Sequence, residues 1–209
     1  MSSVIQPKQQ RSQDTQRKLL SSLHFCLQNK FFEHISIKEL ADYAGVSVGT
    51  FYRRFKNKES LLPMLYQDFG RELELWVNSL EQRRFDSLSD TMEQMCRETL
   101  DFLIQHKSTF RTLHLNSRLH SELLTSDEVV DRNVVYRRLM NLILLFDHEI
   151  GCKNKNEAAG VVIYTMINTL LDKVLYADLT PAIACGFNAS DFADELPKML
   201  FAYLSSSSR

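Results

Sequence analysis

The stretch Ser36–Leu62, SIKELADYAGVSVGTFYRRFKNKESLL, decides the fold of the N-terminal part of this chain. Ser36, followed three residues later by Glu39, has the pattern of a capping box and predicts the start of a helix. Gly45 predicts a turn, because glycine adopts a left-handed backbone at little cost. Ser47 then predicts the cap of a second helix. Two helices joined by a short glycine-containing turn are typical of a helix-turn-helix, and Asn57 predicts the cap of a third helix.

The second helix of this motif is predicted to have one buried side and one exposed side. At 100° per residue, Phe51 and Phe55 lie together on the buried side. The second helix of a helix-turn-helix enters the major groove of DNA. There Gly49 permits close approach of the backbone, and Arg53 can reach a guanine edge or a phosphate. The candidate DNA contacts from this reasoning are Val48, Gly49, Thr50, Tyr52, Arg53 and Lys58.

The same stretch resembles the DNA-binding signature of TetR/AcrR-type transcriptional regulators. The matching residues are ELA (39–41), AGVS (44–47), GTFY (49–52), Phe55 and KE (58–59), in this order and spacing. The resemblance implies a homodimer that binds a near-palindromic operator on double-stranded DNA. Positions that contact DNA in relatives correspond here to Lys38, Ser47, Val48, Thr50, Tyr52 and Lys58.

The chain as a whole is predicted to be all-α. We expect an N-terminal three-helix DNA-binding domain at 1–56, with 1–12 disordered, and a C-terminal helical bundle for ligand binding and dimerisation at 57–209. Helical periodicity predicts helices near 14–29, from about 57 to 80, and at 89–106, 108–115, 127–150, 154–176 and 190–204, with a connection at 117–126. Pro63 predicts a kink or a delayed start of the fourth helix.

Charge and composition agree with DNA binding at one end of the chain. Residues 1–60 carry ten Lys and Arg against five Asp and Glu, whereas residues 61–209 carry fifteen against twenty-one. A basic module joined to an acidic remainder is a plausible footprint for DNA, although uneven charge arises also by chance. No leader-like or membrane-spanning apolar run occurs, so a cytoplasmic protein without membrane contact is expected. The four scattered cysteines predict neither a disulfide framework nor a metal site, and no cofactor is expected.

The last two long helices are predicted to form a dimer interface. The first is apolar around much of its circumference and must be covered on two sides, by its own core and by a partner. A monomer with a thick core is the alternative. The resemblance implies that these helices pair into a four-helix bundle. The predicted interface residues are Ile163, Ile167, Leu170, Val174, Phe192, Leu196, Met199, Leu200 and Tyr203.

A small-molecule effector is implied by the resemblance, because relatives bind a ligand inside the C-terminal bundle. The cavity is expected among the helices near 89–115 and 127–176. Aromatic and methionine side chains there predict an apolar or aromatic ligand, although such residues are more often ordinary packing. The candidate lining residues are Phe102, His106, Phe110, His114, Tyr136, Met140 and Tyr164.

Three functions are compatible with the sequence. The first is a ligand-responsive homodimeric repressor that a small apolar or aromatic molecule releases from DNA. The second is a DNA-bound scaffold of the same fold that responds to a protein partner. The third is a helical enzyme, which no nucleophile elbow, P-loop, HExxH or Rossmann glycine pattern supports. We therefore expect no enzymatic activity.

Overall fold

The computed structural model describes residues 7–119, 131–179 and 181–206, and within these ranges the chain is helical and has no strand. The helices in chain order are α1 (Pro7–Leu27), α2 (Ile37–Ala44), α3 (Val48–Tyr52), α4 (Leu62–Glu81), α5 (Leu88–Gln105), α6 (Lys107–Leu119), α7 (Arg132–Leu144), α8 (Lys155–Tyr176) and α9 (Ala189–Ser205). This architecture confirms the predicted all-α class.

The first helix begins earlier than its hydrophobic periodicity indicated. α1 starts at Pro7 and not near Asp14, so residues 7–12 of the segment expected to be disordered are helical. Proline is favoured at the first helical position, because its backbone angle already suits a helix and its missing N–H has no intrahelical partner there. Residues 1–6 lie outside the described residues.

Several other helix ends differ by a few residues from the predicted ones. Asn188 rather than Ser190 caps α9, since its side-chain oxygen accepts the N–H of Asp191 at 2.9 Å. Asp131 caps α7, which ends at Leu144. α6 extends to Leu119, and the rest of the predicted connection lies outside the described residues. Asn154 caps α8 as predicted.

Pro63 delays the fourth helix. A 3-10 turn at Lys58–Leu61, capped by Asn57, precedes α4, which begins at Leu62. The proline therefore sits in the first turn of α4, where its missing N–H leaves no intrahelical hydrogen bond unmade. The expected delayed start is what the structure has.

The chain divides into two compact units, of which the first comprises residues 1–70 and 108–129. It holds α1 to α3, the beginning of α4 and nearly all of α6. Its core is formed by side chains from all of the first three helices and α4. The most deeply buried residues of this core are Leu19, Leu23, Leu27, Ile35, Leu40, Phe51, Leu61, Leu62 and Leu65. The domain boundary between residues 56 and 57 stays a prediction.

The second unit comprises residues 71–107 and 130–209. In it α5 packs against α8 and α9, and α8 packs also against α7 and α9. Of the described helices, α8 alone is long and apolar enough to cross a membrane by length and composition. Its packing on three neighbouring helices accounts for that apolar character.

Lys173 is the one charged side chain of α8 that lies in this core, at 6 % exposure. Its ammonium donates to the carbonyls of Ala182, Cys185 and Phe187 at 2.8, 2.5 and 3.0 Å. A buried charge is tolerated when its hydrogen bonds are satisfied. Lys173 therefore ties the connection between α8 and α9 to the core.

Candidate nucleic-acid interface

The helix-turn-helix begins with a complete capping box. The Ser36 hydroxyl accepts the Glu39 N–H at 3.2 Å, and the Glu39 carboxylate accepts the Ser36 N–H at 3.0 Å. Lys30 forms an ion pair with the same carboxylate. The Lys30 ammonium, followed by the Ser36 N–H, lowers the pKa of Glu39 to about 2. Lys30 thus helps to hold the start of α2, and the capping box itself is complete without it.

The turn between α2 and α3 depends on Gly45. Gly45 has φ 65°, the left-handed backbone that glycine adopts without a steric penalty. Among the described residues no other one has a positive φ of this kind. The Val46 N–H then donates to the Ala41 carbonyl at 2.9 Å, which closes the helix end. Two residues after Gly45, the Ser47 hydroxyl caps α3 by accepting the Thr50 N–H at 3.1 Å.

The third helix presents the predicted face to solvent. Phe51 is fully buried, whereas Val48 and Tyr52 are 38 % and 56 % exposed. Gly49 and Arg53 are also exposed, and a Cβ on Gly49 would meet no atom closer than 3.8 Å. The open space beside Gly49 leaves the helix backbone accessible to a ligand surface.

Thr50 is half-buried and organises two of its neighbours. Its hydroxyl forms a hydrogen bond of 2.9 Å with the Ser47 hydroxyl. It also accepts a hydrogen bond of 2.9 Å from the Arg53 guanidinium. Arg53 therefore folds back over α3. To reach a base or a phosphate it would exchange this neutral hydrogen bond for a stronger one to an anion or a guanine edge.

Lys38 lies exposed in the first turn of α2, as a phosphate contact requires.

Arg54 was not singled out from the sequence, yet it donates to the Ser12 hydroxyl of α1. No spacing rule connects positions so far apart in the chain, so sequence reasoning had no signal for this contact.

Lys58 occupies a place that the sequence did not suggest. Its ammonium donates to the carbonyls of Phe32, Glu33 and Ile35 at 2.9, 2.7 and 3.1 Å, and it lies 4.9 Å from the centre of the Phe32 ring. An ammonium has three N–H donors, and all three are used here. A phosphate contact would require Lys58 to give up one of these bonds.

A family model for the bacterial regulatory proteins of the tetR family matches residues 28–64. This range holds the capping box, the Gly45 turn, α3 and Lys58. Over these residues the chain is therefore similar to the tetR family. The match confirms the resemblance seen in the sequence.

The curated relatives that the chain matches are HTH-type transcriptional regulators. An HTH-type transcriptional regulator of Staphylococcus aureus is 33 % identical over 81 residues, which are 39 % of this chain and 41 % of the relative. A second one, from another strain, is 26 % identical over 102 residues, or 49 % and 52 % of the two chains. The chain thus matches only about half the length of these relatives.

Solved structures share the fold over nearly the whole chain. A TetR-family transcriptional regulator from Mesorhizobium loti superposes with a TM-score of 0.58 at 16 % identity, covering 93 % of this chain and 97 % of that one. Salmonella enterica GusR superposes with a TM-score of 0.56 at 16 % identity, covering 98 % and 100 %. The TetR-type architecture therefore extends to the C-terminal helices.

The residues predicted to line a ligand cavity are distributed over both units. Tyr136 and Tyr164 are 41 % and 72 % exposed, so neither lines an interior cavity. Met140 is half-buried on α7. Phe110 and His114 are half-buried on α6, in the first unit, and the Phe110 ring contacts Phe69 with centroids 4.7 Å apart.

Phe102 and His106 belong to an aromatic cluster whose third member is Trp76. The Trp76 and Phe102 rings stack at 4.8 Å with an angle of 18°, and the Phe102 and His106 rings lie 4.5 Å apart. The buried indole N–H of Trp76 has no acceptor among the described residues. An unpaired buried donor is uncommon and calls for an explanation such as a missing ligand or water.

The predicted interface residues of α8 and α9 fall into three groups. Five are buried in the core of this chain, where a partner subunit could not reach them, because only side chains on the outer surface of a subunit contact another subunit. These core residues are Ile163, Leu170, Val174, Leu196 and Leu200. The half-buried residues are Ile167 and Phe192, and the exposed ones are Met199 and Tyr203. Val161 and Tyr164 are exposed on α8 and were not in the predicted set.

Replacing Lys58 by Met should lower the free energy of unfolding by about 2 kcal/mol, because three carbonyls lose a charged donor. Urea unfolding measures this loss. Lys56→Met is the matched control, since Lys56 is exposed two residues earlier, and a change below about 0.5 kcal/mol is expected there.

The slope of DNA affinity against salt should not change in Lys58→Met. A slope reduced by about 1 with unaltered stability would assign Lys58 to a phosphate instead.

Proposed function

We propose that this TetR-type chain is a cytoplasmic, homodimeric transcription regulator that binds a near-palindromic operator and is released by a small apolar or aromatic molecule. The observation that carries the proposal is the exposed face of α3. Val48, Gly49, Tyr52 and Arg53 are all accessible on a helix that Phe51 anchors in the core. Exposed small, hydroxyl and basic groups on such a helix fit a major groove.

The length of α3 supports a dimer. The helix has five residues, Val48–Tyr52, and can touch only a few base pairs. Two copies about 34 Å apart would read two half-sites, which is how dimeric helix-turn-helix proteins gain specificity.

Exposed apolar side chains on α8 and α9 support the same conclusion. Val161 and Tyr164 on α8 are 47 % and 72 % exposed, and Met199 and Tyr203 on α9 are 55 % and 41 % exposed. Their spacings of three and four residues place each pair on one side of its helix. The two helices pack against each other. We infer that these four residues, with Ile167, form the centre of the subunit interface, since aromatic residues and methionine are enriched there.

The Trp76, Phe102 and His106 cluster supports an aromatic effector. Stacked rings bind a flat apolar molecule by dispersion and ring–ring contact. The indole N–H of Trp76, which finds no acceptor in the described part of the chain, would donate to an acceptor on that molecule. A site with a few directed polar groups fixes the orientation of a ligand. We therefore expect a planar effector that carries a carbonyl, ether or phenolate oxygen.

Repression is the sign of regulation that we propose. A dimer seated on an operator excludes polymerase by occupancy alone and needs no further surface. Solved structures of this fold include both an activator, the dihydroxyacetone kinase operon activator DhaS, and a repressor, NalD of Pseudomonas aeruginosa. Since the fold is common to both, fold alone does not set the sign.

Selection from random duplex DNA tests the central proposal, and the wild-type chain should enrich a near-palindrome. Arg53→Ala should lower affinity for that duplex by about 1–3 kcal/mol if Arg53 reads a guanine, with a smaller loss on random DNA. Arg84→Ala, at an exposed arginine outside the motif, should bind as the wild type does. Equal losses on both duplexes would restrict Arg53 to the DNA backbone. Failure to enrich any duplex at low salt would reject DNA binding.

Sedimentation should find a dimer at micromolar concentration. Tyr164→Glu should shift the chain to monomer, because a carboxylate in an apolar interface loses its hydration without gaining a partner. Asn156→Glu adds the same charge in the exposed first turn of α8 and should leave the dimer intact. A monomeric wild type would contradict the proposed homodimer.

Trp76 is the only tryptophan of the chain, so its fluorescence reports directly on the proposed effector site. Planar aromatic compounds that bind there should change this emission and release the selected duplex in the same concentration range. Trp76→Phe keeps an aromatic ring but removes the N–H donor, and it should bind the effector more weakly while still binding DNA. Should no compound that releases DNA alter the emission, the effector site lies elsewhere or a protein partner takes its role.

A further inference from the structure

The connection between α1 and α2 is held by two cations from outside it. Only its residues Phe32–His34 form a 3-10 turn. The last carbonyls of a helix have no intrahelical partner. In the connection that follows α1, Lys58 donates to the carbonyls of Phe32, Glu33 and Ile35, and the Phe32 carbonyl accepts also the Ile35 N–H at 3.1 Å.

Arg111 of α6 holds the other half of the connection. One terminal nitrogen of its guanidinium donates to the Leu27 carbonyl at 3.0 Å and to the Lys30 carbonyl at 2.8 Å. The Leu27 carbonyl belongs to the last residue of α1. A cation at a helix C-terminus is favoured by the partial negative charge of the unpaired carbonyls there.

The Arg111 guanidinium also packs on an aromatic ring. Its central carbon lies 4.2 Å from the centre of the Phe31 ring, within the range of a cation–π contact. Phe31 is 43 % exposed, so the guanidinium covers one side of a ring that would otherwise face water. A planar guanidinium can lie flat on a ring while it donates in its own plane, whereas an ammonium has no plane to stack. Arg111 thus contacts three residues of one short stretch: Leu27, Lys30 and Phe31.

These contacts bear directly on the helix-turn-helix. The same stretch carries Lys30, whose ammonium pairs with Glu39 of the α2 capping box. Two residues after Arg111 on α6, Leu113 packs against the core that contains Leu40 and Phe51. The end of α1 and the core under α3 therefore contact α6, and the start of α2 is linked to α6 through Lys30.

We propose that Arg111 is a positioning residue for DNA binding, and that it acts by holding the connection between α1 and α2 so that α2 and α3 keep the pose that fits the major groove. The proposal rests on the proposed DNA-binding function. Arg111 lies well beyond the helix-turn-helix in sequence and makes no DNA contact itself.

The test compares Arg111→Met with Lys107→Met in the full-length chain. Methionine keeps the length of the side chain but removes the charge, the two hydrogen bonds and the stacking. Lys107 is exposed one turn earlier on the same helix, so its replacement removes the same charge without the contacts. Fluorescence anisotropy measures affinity for the duplex that the wild-type chain selects and for a random duplex, well below the melting temperature and at several salt concentrations.

Arg111→Met should bind the selected duplex about tenfold more weakly, as expected when a bound pose is no longer preorganised. Binding to random DNA and the salt slope should match Lys107→Met, because no phosphate contact is lost. Arg111→Lys should lose about threefold, since lysine can donate to the carbonyls but cannot stack on Phe31 while it does so. Should Arg111→Met unfold, Arg111→Lys and Phe31→Leu carry the comparison.

Hydrogen exchange provides a measurement that needs no DNA. Amides of residues 28–36 should exchange faster in Arg111→Met than in Lys107→Met. A lowered melting temperature with unchanged affinity for the selected duplex would make Arg111 a stabilising residue only and overturn the proposal. If the wild-type chain selects no duplex at all, the proposed function and this inference fail together. If the wild type binds and the Arg111 variants bind equally well, only this inference fails.

Discussion

The five-residue helix α3 is too short to be stable on its own, and the burial of Phe51 is the interaction on which the proposed DNA-binding surface depends. Isolated helices far longer than Val48–Tyr52 are unstable in water, because nucleation of the first turn is unfavourable. Phe51 is fully buried and packs against Phe55 with ring centroids 5.5 Å apart. Burial of such a side chain contributes about 1.5–3 kcal/mol. Its neighbours on α3 are thereby forced outward, which produces the exposed face.

Backbone carbonyls capped by buried or half-buried cations recur in both units. In the first unit Lys58 and Arg111 take carbonyls of the connection between α1 and α2. In the second, Lys173 takes three carbonyls of the connection between α8 and α9. Backbone N–H groups within each connection pair with some of these carbonyls, such as those of Phe32 and Ala182, and buried carbonyls that stay unpaired are costly. Cations from distant parts of the chain therefore supply further donors to these connections.

Local signals predicted the helix-turn-helix well and the distant contacts poorly. Ser36, Gly45, Ser47 and Asn154 act within three or four residues of their own positions, so their caps and turns could be predicted from spacing alone. Lys58 was predicted to contact a phosphate because its place in the motif was visible, whereas its three carbonyl partners lie 23–26 residues earlier in the chain. No periodicity encodes that separation.

The amino-acid sequence by itself determined the helical class, the caps, the Gly45 turn and the outward face of α3, because each follows from backbone geometry within one or two turns. Only the tertiary structure decided which apolar residues of α8 and α9 face the core. Ile163 and Leu170 are buried, and Tyr164 is exposed, although all three are large and apolar or aromatic. Tertiary packing also stacked Trp76 on Phe102 and brought Arg111 to the end of α1. Such contacts depend on which helices pack together. The hydrophobic pattern of a sequence predicts the buried face of a helix, but it does not identify the helix that packs against that face.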